Sequence, residues 1–511
     1  MVDMENLLES IPESMLELLR DAARIVKDSH KVMAFSHIDA DGISALAIVI
    51  QAIEREDKKI EWRNIHQINS ETIIDIKNEI EKYQPDTVLF SDFGTGQITL
   101  IRNHIATLES LKHIIVLDHH LPSEEIVEVE SSSLGNKVIE INPCQHGLNG
   151  SFELSGAGVA FLFALFLSPS NLDLTELAIV GATGDLQDYY GKGFTGLNRK
   201  ILELGEIAGT LKVSRDLTFF GIHTRPLPYL LQYATDPYLP GITGVEPACF
   251  EFFENLNIEL KDKNDEWRTW VSLESDEKQL IIQHLIQNII EVYNDPNIAQ
   301  GLIGDVVILT KRPKKTEMRS AKEFSTLLNA CGRNRKPEVG VKVCLGDPDA
   351  ISEGRYLLQE HRKNLAMALR RLEDGGFVTM PGFYLVNDPE IPDTIIGVVI
   401  GMAQGSRIIP VDKPVVGVSI NTTNDSPLAK LSGRAYKDLI KRGINLKETF
   451  VSVADFMNET HGMLVAEAGG HPMAAGAFVQ KDHLDEFLRR SSNEMWEVLK
   501  SSNKNSSEKK E

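Results

Sequence analysis

MAFSHIDADGIS, residues 33–44, begins as an apolar run and stops at His37, Asp39 and Asp41, with Gly42 immediately after. The apolar part reads as a buried strand, and its end carries an imidazole and two carboxylates on alternate positions. Alternate residues of an extended chain share a face. The three side chains therefore share one if the strand continues that far, spanning about 13 Å at roughly 3.3 Å per residue. That is too long for one tight cage. It suits two adjacent cations if the chain curls at Gly42, which also opens a helix whose N-terminus favours anions. D-x-D-x-D-G also opens a calcium loop. With His37 as position 1, however, position 12 is Ile48, where that loop needs a bidentate Glu. The remaining competitor is a polar, solvated strand end.

The pattern recurs. Asp92 ends a second apolar run (LFSDFG), Asp118, His119 and His120 end a third (VLDHH), and Asp185 lies in GATGD. Four carboxylate or imidazole clusters at element ends within one domain are difficult to assign to solvation. Mixed Asp and His without thiolate suit borderline-hard divalent ions such as Mn²⁺. Two such ions about 3.5–4 Å apart can activate water and stabilise the leaving oxygen of a phosphoester.

Around these clusters, residues 30–190 alternate short apolar runs with amphipathic stretches. VMAFSH (32–37), TVLFSD (87–92) and IIVLDHH (114–120) read as buried parallel strands, with IEWRNIHQI (60–68) and KVIEIN (137–142) as shorter ones. ISALAIVIQAIERE (43–56) and SETIIDIKNEIEKY (70–83) have helical periodicity. The expected fold class is α/β, a parallel-sheet domain plus a second, smaller α/β domain. Ligand sites of such sheets lie at the carboxyl ends of the strands. The expected divisions are an N-terminal helical segment (1–29), the first α/β domain (30–219), a mostly helical connecting module (220–300), the second domain (301–500) and a disordered tail (501–511). RPLPYLLQYATDPYLPGITG (225–244) reads as neither regular helix nor central strand.

At 511 residues the chain is too long for one core. A net charge of −21 argues against a protein that coats nucleic acid, but not against local grip on a phosphate chain through carboxylate-held metals. No apolar run spans a bilayer, no secretory pattern opens the sequence, and the four cysteines are scattered; a reduced, cytoplasmic protein is expected.

SHIDADG, SDFG, DHH and GATGD, in that order, resemble the four motifs of the DHH phosphoesterases, and GGHPMAAGAF (469–478) resembles the signature of the DHH-associated substrate-binding domain. Length, the middle segment and EFSTLLNACGR (323–333) are similar to the archaeal RecJ-like nucleases, a group that includes GINS-associated nucleases and is related to a catalytically degenerate eukaryotic replisome subunit. The resemblance spans about residues 30–480 and implies that the first domain is catalytic, with a cleft between the two. It implies one metal on His37, Asp39 and Asp92 and a second on Asp41, Asp92, His119 and Asp185, with Asp92 bridging and helping to orient the nucleophile. His37 is left open between ligand and partner of a ligand. His120 would sit at the scissile phosphate, and Asp118 would orient a ligand histidine. Gly469, Gly470 and His471 would meet the nucleotide, Arg434 would clamp a phosphate, and Arg333 is a weaker candidate.

The resulting expectation is a two-metal exonuclease, with Mn²⁺ or alternatively Mg²⁺, releasing mononucleotides from single-stranded DNA or RNA in replication or repair. The alternatives are a phosphodiesterase of nanoRNA or cyclic dinucleotides, and a replisome scaffold that binds GINS or helicase components. The rings of YLLQYATDPY could stack bases or fill internal packing. KRPKK (311–315) could touch a nucleic-acid backbone or form a charged turn.

Overall fold

The computed structural model describes residues 2–122, 137–188, 193–234, 237, 239–293, 299–420 and 427–507. Parts of three stretches read above lie outside them: 189–191 of the loop after GATGD, 235, 236 and 238 of the aromatic segment, and 508–511.

Five parallel strands form the first sheet: β1 (Lys31–Ser36), β2 (Lys59–Asn64), β3 (Thr87–Ser91), β4 (His113–Leu117) and β5 (Val138–Ile141), in the order β2-β1-β3-β4-β5. The central strands are apolar on both faces because helices cover both. On one face, Ala34, Leu89 and Ile115 join the helices Glu13–Asp28, Ala40–Glu54 and Gly156–Leu167 in one core. On the other, Met33, Phe35, Phe90 and Val116 pack with Ile73, Ile76 and Ile80 of the helix Thr72–Tyr83. Phe35 and Phe90 stack with ring centroids 5.6 Å apart. Burying each such ring contributes roughly 1.5–3 kcal/mol. The order reverses between β1 and β3, the place where open α/β sheets leave a crevice at the strand ends.

β6 (Leu211–Leu217) and β7 (Ile303–Leu309) form an antiparallel ribbon. The chain between them builds its own core around Phe253, Trp270, Ile281 and Leu285. Trp270 Nε1 donates to Asp216 Oδ1 (2.8 Å) and Lys278 pairs with Asp216 (2.9 Å), which ties this core to the ribbon. The segment at 225–244 contains a short helix, Leu227–Gln232, contrary to the sequence expectation; Pro226 and Pro228 fall at its start, where the missing N–H costs nothing.

The compact units divide at Leu358/Gln359, and not at 300/301 as the sequence suggested. Residues 301–358 belong to the first unit because β7 pairs with β6 and the helix Ala321–Arg333 packs its apolar face, Phe324, Leu327 and Leu328, into the main core. The second unit has a mixed six-stranded sheet built from β8 (Val378–Thr379), β9 (Tyr384–Val386), β10 (Val415–Ser419), β11 (Leu428–Arg434), β12 (Ala466–His471) and β13 (Ala474–Gln480). Their order is β12-β13-β11-β10-β9-β8. The final helix runs from Leu484 to Ser507, so residues 501–507 are helical where a disordered tail was expected. Extending an existing helix avoids the nucleation cost that polar segments cannot meet alone.

Candidate metal centre

His37, Asp39 and Asp41 do not share a strand face. β1 ends at Ser36, and the chain turns into the helix Ala40–Glu54 with Asp39 as its N-cap, accepting from Gly42 N at 3.0 Å. The turn, and not curling at Gly42, collapses the span of about 13 Å expected of an extended chain. His37 Nδ1 lies 2.9 Å from Asp39 Oδ2 and 3.7 Å from Asp92 Oδ2. Asn64 Nδ2 holds the His37 carbonyl at 2.8 Å.

Asp92 follows β3 with φ of 62°, a left-handed conformation that costs a residue with a Cβ about 1–2 kcal/mol. Its N–H donates to Leu117 O at 2.8 Å, so the sheet holds the strain and fixes the carboxylate. Asp41 lies in the first turn of its helix. Its two oxygens accept Gly156 N (2.7 Å) and Ala157 N (3.0 Å), placing it against the start of the helix Gly156–Leu167 as well.

The histidines are oriented by their Nδ1 atoms. His119 Nδ1 meets Gly150 O at 2.6 Å, directing Nε2 inward to within 3.6 Å of Asp41, 3.2 Å of Asp92 and 3.3 Å of Asp185. His120 Nδ1 donates to Asp118 Oδ1 at 2.8 Å, leaving Nε2 of a half-exposed ring available. Asp118 itself is fully engaged, accepting also from His119 N (2.7 Å), His120 N (3.2 Å) and Thr95 N (2.8 Å). It orients its neighbours and has little left for a cation.

Four carboxylates with so few counter-charges perturb one another. Burial, reinforced by Asp92 and Asp185, raises Asp41 well above the usual carboxylate range. Asp185 is pushed up to about 6 by burial, with Asp39 and Asp92 adding to it against the pull of His119. Burial lowers the His119 imidazole, but the surrounding Asp92, Asp185 and Asp41 outweigh it and raise it well above 6.5. His37 is raised in the same way by Asp39 and Asp92 against burial. Burial opposes the ionisation of Asp39, but His37, Gly42 N and Arg333 hold it far below its ordinary value.

Both oxygens of Asp92 and Nε2 of His119 are buried and lack a hydrogen-bond partner. Unsatisfied buried acceptors of this kind are costly, and here they converge. Three donor sets have their atoms within 4.8 Å of one another: His37, Asp39 and Asp92; Asp41, His119 and Asp185; Asp92, His119 and His120. These residues fit divalent cations, with Asp92 common to two sets.

Close backbone packing maintains the cluster, and sequence reading missed most of its support. A Cβ at Gly156 would lie 2.6 Å from Asp92 Oδ1, and one at Gly181 2.3 Å from Asp41 Oδ1. Asn329 Oδ1 accepts from Ala40 N at 3.0 Å, and Gly332 lies so close that a Cβ would stand 1.9 Å from Ile38 O. The helix carrying NACGR therefore buttresses the turn at 37–41. Asn198 donates to Gln187 (2.7 Å) and Gln187 to Gly150 O (2.9 Å), behind His119. The adjacency of Asn and Gly to a motif-bearing element is visible only in three dimensions.

In the second unit, His471 of β12 pairs with Ala474 of β13, which pairs with Arg434 of β11, so His471 and Arg434 occupy one row across the sheet. Arg434 Nη1 donates to Gly433 O at 2.8 Å. Gly470 has φ of 127°, and a Cβ there would meet Ala474 O at 2.6 Å, so the hairpin requires glycine. Around Gly469 there is open space.

The DHH-CID domain family matches residues 219–303, the segment bracketed by β6 and β7. Over 94% of its length the chain superposes on RecJ of Thermus thermophilus in complex with Mn²⁺, with a TM-score of 0.55 and 17% identity. The chain has a RecJ-like fold and carries a segment that matches the DHH-CID domain. It spans about half (54%) of that RecJ chain. A second exonuclease RecJ, bound to manganese, matches over 93% of this chain and 94% of its own with a TM-score of 0.51 and 16% identity. CDC45 from Entamoeba histolytica matches over 96% and 99% of the two chains with a TM-score of 0.59 and 13% identity. By sequence, an uncharacterized protein of Methanocaldococcus jannaschii is 28% identical over 484 residues, 93% of this chain and 98% of its own. The fold that the sequence resemblance implied is thus met. Among the described residues no helix is long and apolar enough to cross a membrane.

Proposed function

We propose that this chain is a two-metal phosphodiesterase that removes mononucleotides from the end of single-stranded DNA or RNA, in replication or repair. The observation that carries the reading is the convergence of the partnerless Asp92 oxygens and His119 Nε2 among Asp41, Asp185, Asp39 and His37. In this reading one ion takes His37, Asp39 and Asp92, and the other takes Asp41, Asp92, His119 and Asp185. The donor set favours Mn²⁺, with Mg²⁺ as the alternative. When bound, the ions supply a more acidic water and neutralise phosphate charge.

The chain's own residues do the rest. Gly150 O holds a proton on His119 Nδ1, so Nε2 presents a lone pair inward. Asp118 accepts from His120 Nδ1 and, against burial, raises the imidazole, so the protonated ring's Nε2 is placed to donate to a phosphate oxygen and to the leaving alcohol. In the second unit, Arg434 and His471 supply donors for backbone phosphates and Gly469 allows close approach of a nucleotide.

Digesting singly end-labelled DNA and RNA strands with Mn²⁺ or Mg²⁺ tests this. Mononucleotide release that falls at least a thousandfold in Asp92→Asn supports the proposal, and no cleavage by the wild type ends it. A length series separates the short-oligonucleotide alternative, which loses rate beyond a few nucleotides. The likeness in shape to CDC45 favours a second reading, a replisome scaffold; capture of purified GINS or helicase components by a protein that does not cleave would support it.

A further inference from the structure

Far along the sequence from the DHH motifs, the second unit gathers another set of ligating side chains. His461 ends the helix Leu446–His461, His483 ends the 3₁₀ turn Lys481–His483, and Glu486 lies three residues later in the helix Leu484–Ser507. The spacing His483-x-x-Glu486 places both on one helical face. Donor atoms of all three lie within 4.8 Å of one another. His461 Nε2 stands 3.1 Å from Glu486 Oε2, and the two imidazole rings lie 4.2 Å apart between centroids, tilted by 54°. Two donors each about 2.1 Å from one ion stand about 3.0–3.4 Å apart, so the His461–Glu486 separation already suits a shared cation.

We propose that His461, His483 and Glu486 form a separate cation site for a borderline transition ion of the zinc type. Two imidazoles and one carboxylate suit zinc, nickel or cobalt better than the hard ions that carboxylate-rich sites take. Arg490 Nε occupies Glu486 Oε1 at 2.8 Å and stacks on Phe456, which fixes the carboxylate and leaves Oε2 turned toward His461. The half-exposed setting keeps further positions open to water.

The place in the fold gives the site a purpose. Between His461 and His483 the chain forms the β12–β13 hairpin, whose first strand ends at His471. The two histidines lie at the open end of that hairpin, where Gln480 N already bonds Val465 O (2.9 Å) and Gln480 Nε2 bonds Leu464 O (2.8 Å). A bound ion would join the end of one helix to the start of the next and stiffen the hairpin between them.

Equilibrium dialysis of the full chain against Zn²⁺, with metal counted per chain, tests the site separately from the Asp92 cluster. Wild type is expected to hold one more ion than His461→Ala or His483→Ala, while Asp92→Asn keeps that ion. With Co²⁺, the visible absorption assigned to this ion disappears in His483→Ala, and Glu486→Gln weakens binding at least tenfold. Equal zinc counts in wild type, His461→Ala and His483→Ala would overturn the proposal.

Discussion

His119 Nε2 lies 3.2 Å from Asp92 Oδ1, and both atoms are buried. With Nδ1 committed to Gly150 O and, against burial, the surrounding carboxylates raising the imidazole well above 6.5, Nε2 of the metal-free chain faces Asp92 as a proton carrier. The contact is satisfied by a proton or by a cation placed among His119, Asp41, Asp92 and Asp185. A divalent cation held by His119, Asp41, Asp92 and Asp185 would stand in that proton's place, and its binding would release protons.

Asp118 and His120 separate orientation from chemistry. His120→Ala should lower kcat by about 10²–10³ while Mn²⁺ affinity stays within a few-fold of wild type, because His119, Asp92 and Asp185 are untouched. Asp118→Asn should lower activity and also destabilise the fold by roughly 1–3 kcal/mol, since an amide cannot accept all four bonds that Asp118 accepts. Single-turnover rates, Mn²⁺ titration and urea melts check both.

Gly332→Ala reverses the ordinary expectation. In a helix, alanine is favoured over glycine by up to about 1 kcal/mol. Here the new Cβ would stand 1.9 Å from Ile38 O and push the turn that carries His37 and Asp39. The variant should therefore be less stable than wild type and lose activity at least tenfold at limiting Mn²⁺. Denaturant unfolding and activity against Mn²⁺ concentration measure the two effects.

Glu323 supplies a pH dependence away from the metal cluster. Burial pushes its carboxyl up to about 7, against bonds from Thr224 Oγ1 and His223 N. A folded value above the ordinary 4.5 means the native state binds the extra proton. The stabilisation is complete below pH 4.5 and is lost as pH rises through 7. Relative to Glu323→Gln, wild type should lose roughly 2 kcal/mol between about pH 5 and 8.5, read as the difference between the two proteins' urea midpoints.

β1, β3 and β4 were legible because their apolar runs are closed by Asp or His, and burial on both faces removes the alternation that would blur them. The residues of the candidate centre were legible by type for the same reason. Their geometry was not: alternation at 37–41 suggested an extended strand, whereas Asp39 caps a helix. Asn329 and Gly332 reach the turn at 37–41 from almost 300 residues away, and no local pattern records that contact. β6 escaped notice because LKVSRDL is half-exposed in a two-stranded ribbon and lacks an apolar run. Without it, β7 read as the start of a new domain, which moved the boundary from 358 to 300.

The proposed function requires Asp92, common to two donor sets, to serve two cations. Electron paramagnetic resonance of the Mn²⁺-loaded chain tests it most directly, because ions about 3.5–4 Å apart couple their spins. The predicted spectrum is that of a coupled pair at two Mn²⁺ per chain, lost in Asp92→Asn. A spectrum of isolated Mn²⁺ at every loading, unchanged by Asp92→Asn, would contradict the account.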